Sequence, residues 1–256
     1  RATVLPCPMT PPRPPSLPSP RDPRAAPSAQ RPWPVVLVHG TSASTGDYME
    51  LARELRELGW AVFIPTYGNR ATNPIEDSAE QILAYINQVL HATGAEKVII
   101  VGHSQGGVLA RYLIKRLGGA SKVKHLISLS SPHHGTSLGG MLNVLVNSER
   151  SADFMIRMIN NYFGPAGMQQ IVGSDFLTDL NADGDTVPGP GYTCLVTRTD
   201  TTVSPAESGF LDGPGVDNSW IQDYYPLAVI LHEDMPRDRR VRELVISTIE
   251  QLRPLQ

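Results

Sequence analysis

The sequence is poor in the features that mark membrane, nucleic-acid-binding and disulfide-rich proteins. It has 2 cysteines in 256 residues and a formal net charge of −3. So small a charge gives no electrostatic reason to expect nucleic acid as a partner. No apolar run reaches the ~18 residues that a membrane-spanning helix requires, so we expect no transmembrane segment. The length instead suits one domain with a sizeable buried core.

Proline is distributed unevenly along the chain. Twelve of the 23 prolines fall within residues 1–34, together with several serines and arginines. This composition is typical of an extended tail or linker, so we predict a proline-rich tail over residues 1–32 and one domain over residues 33–256. The first 34 residues lack the apolar segment of a signal peptide. We therefore expect either the mature form of a secreted protein or a cytosolic protein.

The two cysteines leave two interpretations open. Cys7 lies in the tail, and Cys194 lies in a strand-like run. One disulfide between them would tie the tail to the domain and would favour secretion. In the alternative interpretation, Cys194 is a buried free thiol. Neither cysteine has a plausible histidine partner near it in sequence, so we expect no catalytic role for either.

Beyond the tail, apolar runs typical of buried strands alternate with amphipathic helical patterns. The predicted strands cover residues 34–38, 60–64, 97–101, 123–129 and 192–197, and the predicted helices cover residues 47–58, 75–91, 108–117 and 239–252. Because the strands are continuously apolar, we expect an α/β fold with a mostly parallel sheet flanked by helices on both faces. Residues 226–231 form either a last strand or a loop.

A pattern of the type G-x-S-x-G occupies residues 102–106, between a β-branched run and a helix-forming run. In a strand–turn–helix context this pattern forms a sharp turn that raises the central serine above the sheet. The glycines leave room for so tight a turn. We therefore predict Ser104 as a nucleophile, and the alternative is an ordinary glycine-rich turn.

A serine hydroxyl needs a base, and the base needs a third group that fixes its tautomer. In enzymes built on this turn, the order along the chain is serine, acid, histidine. Of the seven histidines, only His232 lies late enough in the chain to follow a plausible acid. We predict His232 as the general base. The alternative is a surface histidine paired with Glu233 or Asp234.

The predicted acid is Asp200, which closely follows the strand predicted over residues 192–197. Active-site groups of open parallel sheets gather at the carboxyl ends of the strands. The next candidate is Asp217, which lies in a polar loop-like segment. In the alternative interpretation, Asp200 is a carboxylate that caps a turn.

Two main-chain amides are candidates for holding an oxyanion. The amide of Gln105 lies at the N-terminus of the helix that follows the serine. The second donor in such folds comes from the loop after the first strand, where Thr41 follows His39 and Gly40. The Thr41 hydroxyl is a candidate third donor, and we expect His39 to order this loop.

Two patterns are similar to metal sites but lack essential parts. Residues 181–185 read Asn-Ala-Asp-Gly-Asp, without the glutamate that a calcium loop requires, so we predict a turn there. His133 and His134 are adjacent rather than four residues apart, which does not suit zinc. We expect neither a metal ion nor a cofactor.

Five segments together resemble the α/β-hydrolase lipases, in particular the secreted bacterial triacylglycerol lipases of class 2. They are V-V-L-V-H-G-T (35–41), G-H-S-Q-G-G (102–107), S-S-P-H-H-G-T (130–136), L-N-A-D-G-D-T-V-P-G-P-G-Y-T (180–193) and T-R-T-D-T-T-V-S-P (197–205). The resemblance spans roughly residues 33–250 and implies an α/β-hydrolase fold. It identifies the last segment as the acid loop, which favours Asp200. The pairing of Thr41 with Gln105 is also similar to the oxyanion hole of the fungal lipase B group.

The resemblance implies a carboxylic-ester hydrolase that acts on lipid esters through an acyl-enzyme. It also implies a helical cap insertion over about residues 135–180, an apolar and irregular segment whose helices line an acyl pocket or pack on the core. The expected contacts to the acyl chain are Leu142, Leu145, Val146 and Val203. We expect a secreted monomer that acts at a lipid–water interface. The alternatives are a short-chain esterase, a polyester hydrolase or an acyltransferase on the same triad, and a non-catalytic binding protein on the same fold.

Overall fold

The computed structural model describes residues 26–137, 139 and 152–255. Within these ranges the strands form one sheet in the order β2-β1-β3-β4-β5-β6, and every neighbouring pair is parallel. The strands are β1 (Val35–Val38), β2 (Val62–Phe63), β3 (Val98–His103), β4 (Val123–Leu129), β5 (Gly191–Val196) and β6 (Asp217–Trp220). The predicted parallel sheet is therefore confirmed.

Helices cover both faces of the sheet. The longer ones are α1 (Met49–Glu57), α2 (Ile75–Thr93), α3 (Gln105–Arg116), α4 (Ala152–Gln169), α5 (Asp175–Asn181) and α6 (Arg239–Gln251). Short helical turns cover Thr45–Tyr48, Gly68–Ala71, Gly119–Ser121, Ala206–Gly209, Ile221–Tyr224 and His232–Asp234. Helices α1 and α6 pack on one face of the sheet, and α2, α3 and α5 pack on the other.

Strand β1 shows why the strand sequences are continuously apolar. Val35 and Leu37 belong to the core under α1 and α6, whereas Val36 and Val38 belong to the core under α2 and α3. All four side chains are fully buried. Because successive side chains of a strand point to opposite faces, a strand covered on both faces buries every residue.

The far edge of the sheet differs from the sequence-based expectation. Strand β6 reads Asp-Asn-Ser-Trp, a polar sequence that no apolar pattern indicates. Residues 226–231 form a loop, in which Ile230 is buried and Leu227 is 95% exposed. The amide of Ile230 bonds to the Thr199 hydroxyl at 2.9 Å rather than to a neighbouring strand. Of the two interpretations of this run, the loop is therefore correct.

Helix α4 lies in the segment predicted as the cap. It bends at Gly164, which has φ 65° and ψ −166° and is followed by Pro165. Just after the bend, the amide of Ala166 donates to the carbonyl of Thr72 at 3.2 Å. The second part of α4 is therefore fixed to the body of the domain.

Some predictions fall on residues that the structure does not describe. Three expected acyl-chain contacts are among them: Leu142, Leu145 and Val146. The tail over residues 1–32 and the bounds of the cap stay predictions as well. No helix in the part of the chain that the structure describes has both the length and the apolar character needed to cross a bilayer.

Candidate active site

Ser104 occupies a sharp corner between β3 and α3. Its backbone has φ 54° and ψ −123°, a conformation that a non-glycine residue adopts only when its surroundings impose it. A side chain at Gly102 would place its Cβ 2.5 Å from the main chain of Gly106 and Gly107. The corner therefore closes only with glycine at that position, and it leaves the Ser104 side chain at the carboxyl edge of the sheet.

The structure brings His232 to this serine from a distance of 128 residues along the chain. The His232 Nε2 atom lies 3.0 Å from Ser104 Oγ, and its Nδ1 atom lies 2.8 Å from Asp200 Oδ2. The imidazole is almost completely buried. The three side chains thus form one continuous hydrogen-bonded chain.

Asp200 lies just beyond β5, and its side chain is fully buried. Its Oδ1 atom accepts hydrogen bonds from the amides of Thr202 and Val203, each at 2.8 Å. Burial acts to raise the pKa of this carboxyl, but His232 and the two amides outweigh burial and hold the pKa below its usual value. An ionised carboxylate only accepts hydrogen bonds, so the proton of His232 resides on Nδ1 and leaves Nε2 free as an acceptor.

The competing assignments for acid and base are not supported by the geometry. Asp217 is exposed on β6, and its Oδ1 atom accepts a hydrogen bond from Ser219. Asp234, one of the two alternative partners of His232, pairs with Arg237 at 3.2 Å, and His232 itself is buried rather than on the surface.

Thr41 and Gln105 meet beside the serine. The Gln105 side chain donates from Nε2 to Thr41 Oγ1 at 2.9 Å. As the first residue of α3, Gln105 has an amide without a carbonyl partner inside the helix. A second glutamine, Gln170, also donates from Nε2 to Thr41 Oγ1, at 3.0 Å. The sequence does not predict a role for Gln170, because a glutamine directly after the end of a helix carries no local signal of a place in the site.

An unusual turn supports the loop that carries Thr41. Gly68 and the three residues after it all have positive φ. Each non-glycine residue in such a left-handed turn costs about 1–2 kcal/mol. The Arg70 carbonyl accepts a hydrogen bond from the Ser42 amide at 2.8 Å. The Ala71 carbonyl accepts one from Gln105 Nε2 at 2.7 Å. The turn therefore fixes the Thr41 loop against the start of α3.

His103, which directly precedes the serine, also belongs to the site. Its Nε2 atom donates to the carbonyl oxygen of His232 at 2.8 Å, and the two rings are 4.9 Å apart. Burial, together with the neighbouring His232, lowers the pKa of His103 to about 3, so the ring is neutral. Its position in the G-x-S-x-G pattern gave no indication of this contact.

A cavity of about 400 Å³ opens above the serine. Tyr162 and Phe163, just before the bend in α4, line it together with Val203, so the last of the expected acyl-chain contacts does face the cavity. Asp47 and Arg237, which pair at 3.2 Å, also line it. The cavity therefore offers apolar contacts as well as a charged pair.

Residues 181–185 begin at the last residue of α5 and form a turn, in which Asp185 is buried among polar partners. Asp185 accepts from the amide of Asp212 at 2.7 Å and contacts His134 Nε2 at 3.0 Å. The carbonyl of Asp185 also accepts from the fully buried Arg111. Among the described residues, no group of three or more metal-ligating side chains converges.

Cys194 is a buried free thiol in this structure. Burial raises its pKa to about 11, so the thiolate form is disfavoured. Cys7 lies outside the described residues, so the disulfide between Cys7 and Cys194 stays a prediction.

The fold is that of the α/β-hydrolases. Lipase B of Aspergillus fumigatus superposes with a TM-score of 0.69 at 19% identity, over 87% of this chain and 54% of that chain. The mature form of the Bacillus licheniformis lipase BlEst2 superposes with a TM-score of 0.65 at 16% identity, over 89% of this chain and 94% of that chain. At these identities the likeness concerns the fold alone.

Sequence comparison places the chain more narrowly. The family model described as lipase (class 2) matches residues 32–223, and the chain belongs to this family. A triacylglycerol lipase of Pseudarthrobacter phenanthrenivorans is 30% identical over 159 residues, which are 59% of this chain and 48% of that relative. The match thus covers about half the length of the curated relative. The predicted resemblance to class 2 lipases is confirmed.

Proposed function

We propose that the protein is a serine carboxylic-ester hydrolase that acts on lipid esters, as a triacylglycerol lipase. The observation that carries this proposal is the hydrogen-bonded chain from Ser104 through His232 to Asp200. A hydroxyl, an imidazole and a buried carboxylate in this order supply nucleophile, general base and orienting anion. The family and the names of the relatives support lipid esters as the substrate class.

In the proposed mechanism, Ser104 Oγ attacks the ester carbonyl carbon while His232 Nε2 takes the serine proton. Asp200 stabilises the resulting imidazolium. The amides of Thr41 and Gln105 hold the oxyanion of the tetrahedral intermediate. His232 then gives its proton to the leaving alcohol oxygen, and an acyl-enzyme on Ser104 remains.

Deacylation repeats these steps with water as the nucleophile. His232 takes a proton from the water molecule, whose oxygen attacks the acyl carbon. As the second tetrahedral intermediate collapses, His232 returns this proton to Ser104 Oγ, which restores the hydroxyl and releases the fatty acid.

Hydrolysis of p-nitrophenyl esters from two to sixteen carbons, and of an emulsified triacylglycerol, tests the proposal. We expect Ser104→Ala to lower kcat by about 10⁴-fold or more. Ser121→Ala, at an exposed serine of the turn Gly119–Ser121, is the matched control and is expected to behave as wild type. Wild-type rates in Ser104→Ala would overturn the mechanism.

The same series tests the proposed substrate class. Activity on acyl chains beyond about eight carbons and on the emulsion is the expected result. Activity confined to chains of two to four carbons would instead favour a short-chain esterase. Product analysis with an added alcohol separates hydrolysis from acyl transfer.

We further propose that the protein is secreted and monomeric, and that it acts at a lipid–water interface. Secretion is supported by the resemblance to secreted class 2 lipases. Cell fractionation tests it, and recovery of the protein only from the cytosol would overturn it. Sedimentation equilibrium tests the oligomeric state, and a mass above that of one chain would contradict the monomer. Hydrolysis rates measured across the solubility limit of the substrate test interfacial action, and a rate that saturates smoothly there would argue against it.

A further inference from the structure

We propose that Gln170 is a positioning residue that, with Gln105, turns the Thr41 hydroxyl into a fixed hydrogen-bond donor for the oxyanion. The inference rests on the proposed function and deepens it. Gln170 belongs to the segment after α4 rather than to the two loops that carry the amide donors. If Gln170 has this role, a part of the predicted cap insertion helps to stabilise the transition state.

The contacts fix the orientation of both glutamine side chains. The Nε2 atom of Gln105 also lies 2.7 Å from the Ala71 carbonyl oxygen, and that of Gln170 lies 3.0 Å from the Ala166 carbonyl oxygen. A carbonyl oxygen only accepts hydrogen bonds. Each amide nitrogen must therefore face its carbonyl, and the same nitrogen is the atom that reaches Thr41.

Thr41 Oγ1 consequently accepts two N–H bonds, from Gln105 at 2.9 Å and from Gln170 at 3.0 Å. A hydroxyl has two lone pairs and one proton. With both lone pairs occupied, its remaining capacity is to donate. Thr41 and Ser104 line the same cavity, so we place this proton toward the position of the oxyanion.

Gln170 is itself held firmly before any substrate binds. Its side chain is nearly fully buried. Its carbonyl accepts from the amide of Thr136 at 2.9 Å, and its own amide donates to the carbonyl of Gly167 at 3.2 Å. A donor that is oriented in advance costs no reorganisation when charge develops on the substrate. Gln170 would therefore act on the transition state rather than on substrate binding.

The first test is Gln170→Met, which keeps the length of the side chain and removes the amide. On the soluble substrate p-nitrophenyl butyrate we expect kcat to fall about 10-fold, with KM within about twofold of wild type. This loss is smaller than the 10²–10³-fold that follows deletion of an oxyanion donor, because the hydroxyl remains but is no longer confined. Gln169→Met is the matched control, since its side chain contacts Ile75 and Glu76 instead of Thr41. We expect Gln169→Met to change thermal stability without lowering kcat.

The second test is a double-mutant cycle with Thr41→Val, which removes the hydroxyl and keeps the amide. Thr41→Val is expected to lower kcat about 100-fold. Adding Gln170→Met to it is expected to change kcat by less than twofold, because the group through which Gln170 acts is already absent. Thr41→Ser, which restores the hydroxyl, is expected to recover most of the activity and to regain sensitivity to Gln170→Met. Multiplicative losses in the double variant would overturn the inference.

The outcomes separate this inference from the proposed function. If Ser104→Ala retains wild-type activity, the proposed function fails. If Ser104→Ala is inactive while Gln170→Met matches wild type, the function stands and the role of Gln170 is wrong. Should Gln170→Met not fold, Gln170→Ala takes its place in the cycle. Wild-type kcat in Thr41→Val would overturn the inference independently of any substitution at position 170.

Discussion

The ring of His103 donates from Nε2 to the main-chain carbonyl oxygen of His232, 2.8 Å away. The residue that precedes the nucleophile thus holds the backbone of the proposed base. This bond spans 129 residues of sequence, and both residues are buried. It ties the corner of Ser104 to the loop of His232, so the distance between hydroxyl and imidazole depends on His103.

Substitution of His103 is expected to weaken catalysis without removing any reacting group. In His103→Ala the His232 carbonyl loses its partner in a buried place, at a cost of about 1–3 kcal/mol of stability. We expect kcat to fall about 10-fold, because the imidazole is no longer held at 3.0 Å from Ser104 Oγ. Steady-state kinetics and urea unfolding measure the two effects. His91→Ala, at an exposed position on α2, is the control, and an equal loss in both variants would contradict the role of His103.

Asp200→Asn is expected to reduce kcat by about 10⁴-fold while the protein still folds. The asparagine oxygen can still accept from the amides of Thr202 and Val203, but its NH₂ group then faces His232. His232 would have to accept at Nδ1 and carry its proton on Nε2, where it can no longer take the serine proton. Kinetics and a thermal melt test this. Asp217→Asn, at the alternative acid, should retain wild-type kcat, and the reverse pattern would reassign the acid.

Stability is expected to fall as the pH drops from about 6.5 toward 4. Burial lowers the pKa of His103 to about 3 and that of His125 to about 4, and it lowers the pKa of His133 well below its usual value. Below pH 6.5 the unfolded chain therefore binds protons that the native chain does not. A tenfold difference in proton affinity between the two states corresponds to about 1.4 kcal/mol of stability. Asp200, whose pKa is lowered by His232 and the two amides, adds to this loss only at the acid end of the window, where an unfolded aspartate begins to bind a proton.

Urea unfolding at several pH values in this window measures the effect. His125→Gln removes one of the three buried histidines. Its amide keeps a partner for the Thr193 hydroxyl, which lies 2.8 Å from His125 Nε2. We expect its stability to depend less steeply on pH between 6.5 and 4, with kcat unchanged at neutral pH. A slope equal to that of wild type would show that His125 is not buried as a neutral group.

Gly164→Ala is expected to destabilise the protein by about 3 kcal/mol or more. A Cβ at this position would lie 2.3 Å from the Thr72 carbonyl oxygen, and the backbone conformation is one that side chains rarely adopt. Gly173 also has a positive φ, but a Cβ there meets open space. Gly173→Ala is therefore the matched control, with an expected cost of about 1 kcal/mol. Equal melting temperatures for the two variants would contradict the bend at Gly164.

The sequence predicted the strands that are buried on both faces, because such burial requires apolar residues. Strand β1 is apolar at every position because it is covered on both faces, and the same holds for the first four residues of β3. Strand β6 has two exposed residues and a polar sequence, so its pairing with β5 depends on tertiary contacts that no local pattern records. Residues 226–231 have an apolar sequence that resembles a strand, and Ala228 and Ile230 are buried. Their main chain, however, bonds to side chains: the Ala228 carbonyl accepts from Gln222, and the Ile230 amide donates to the Thr199 hydroxyl.

The candidate site divides in the same way. Ser104, Asp200 and His232 were predicted from a turn pattern and from their order along the chain, and the structure brings them together. The supporting contacts of Gln170 and His103 were not predicted. Both act through bonds to residues far away in sequence, 129 positions in each case. A glutamine just after a helix and a variable position of a motif give no sign of these contacts before the fold is known.

The separation of 128 positions between the serine and the histidine that contacts it also bears on how the protein is made. During synthesis the corner of Ser104 leaves the ribosome well before Asp200 and His232 do. On the proposed mechanism, the nascent chain cannot cleave an ester until translation has passed position 232.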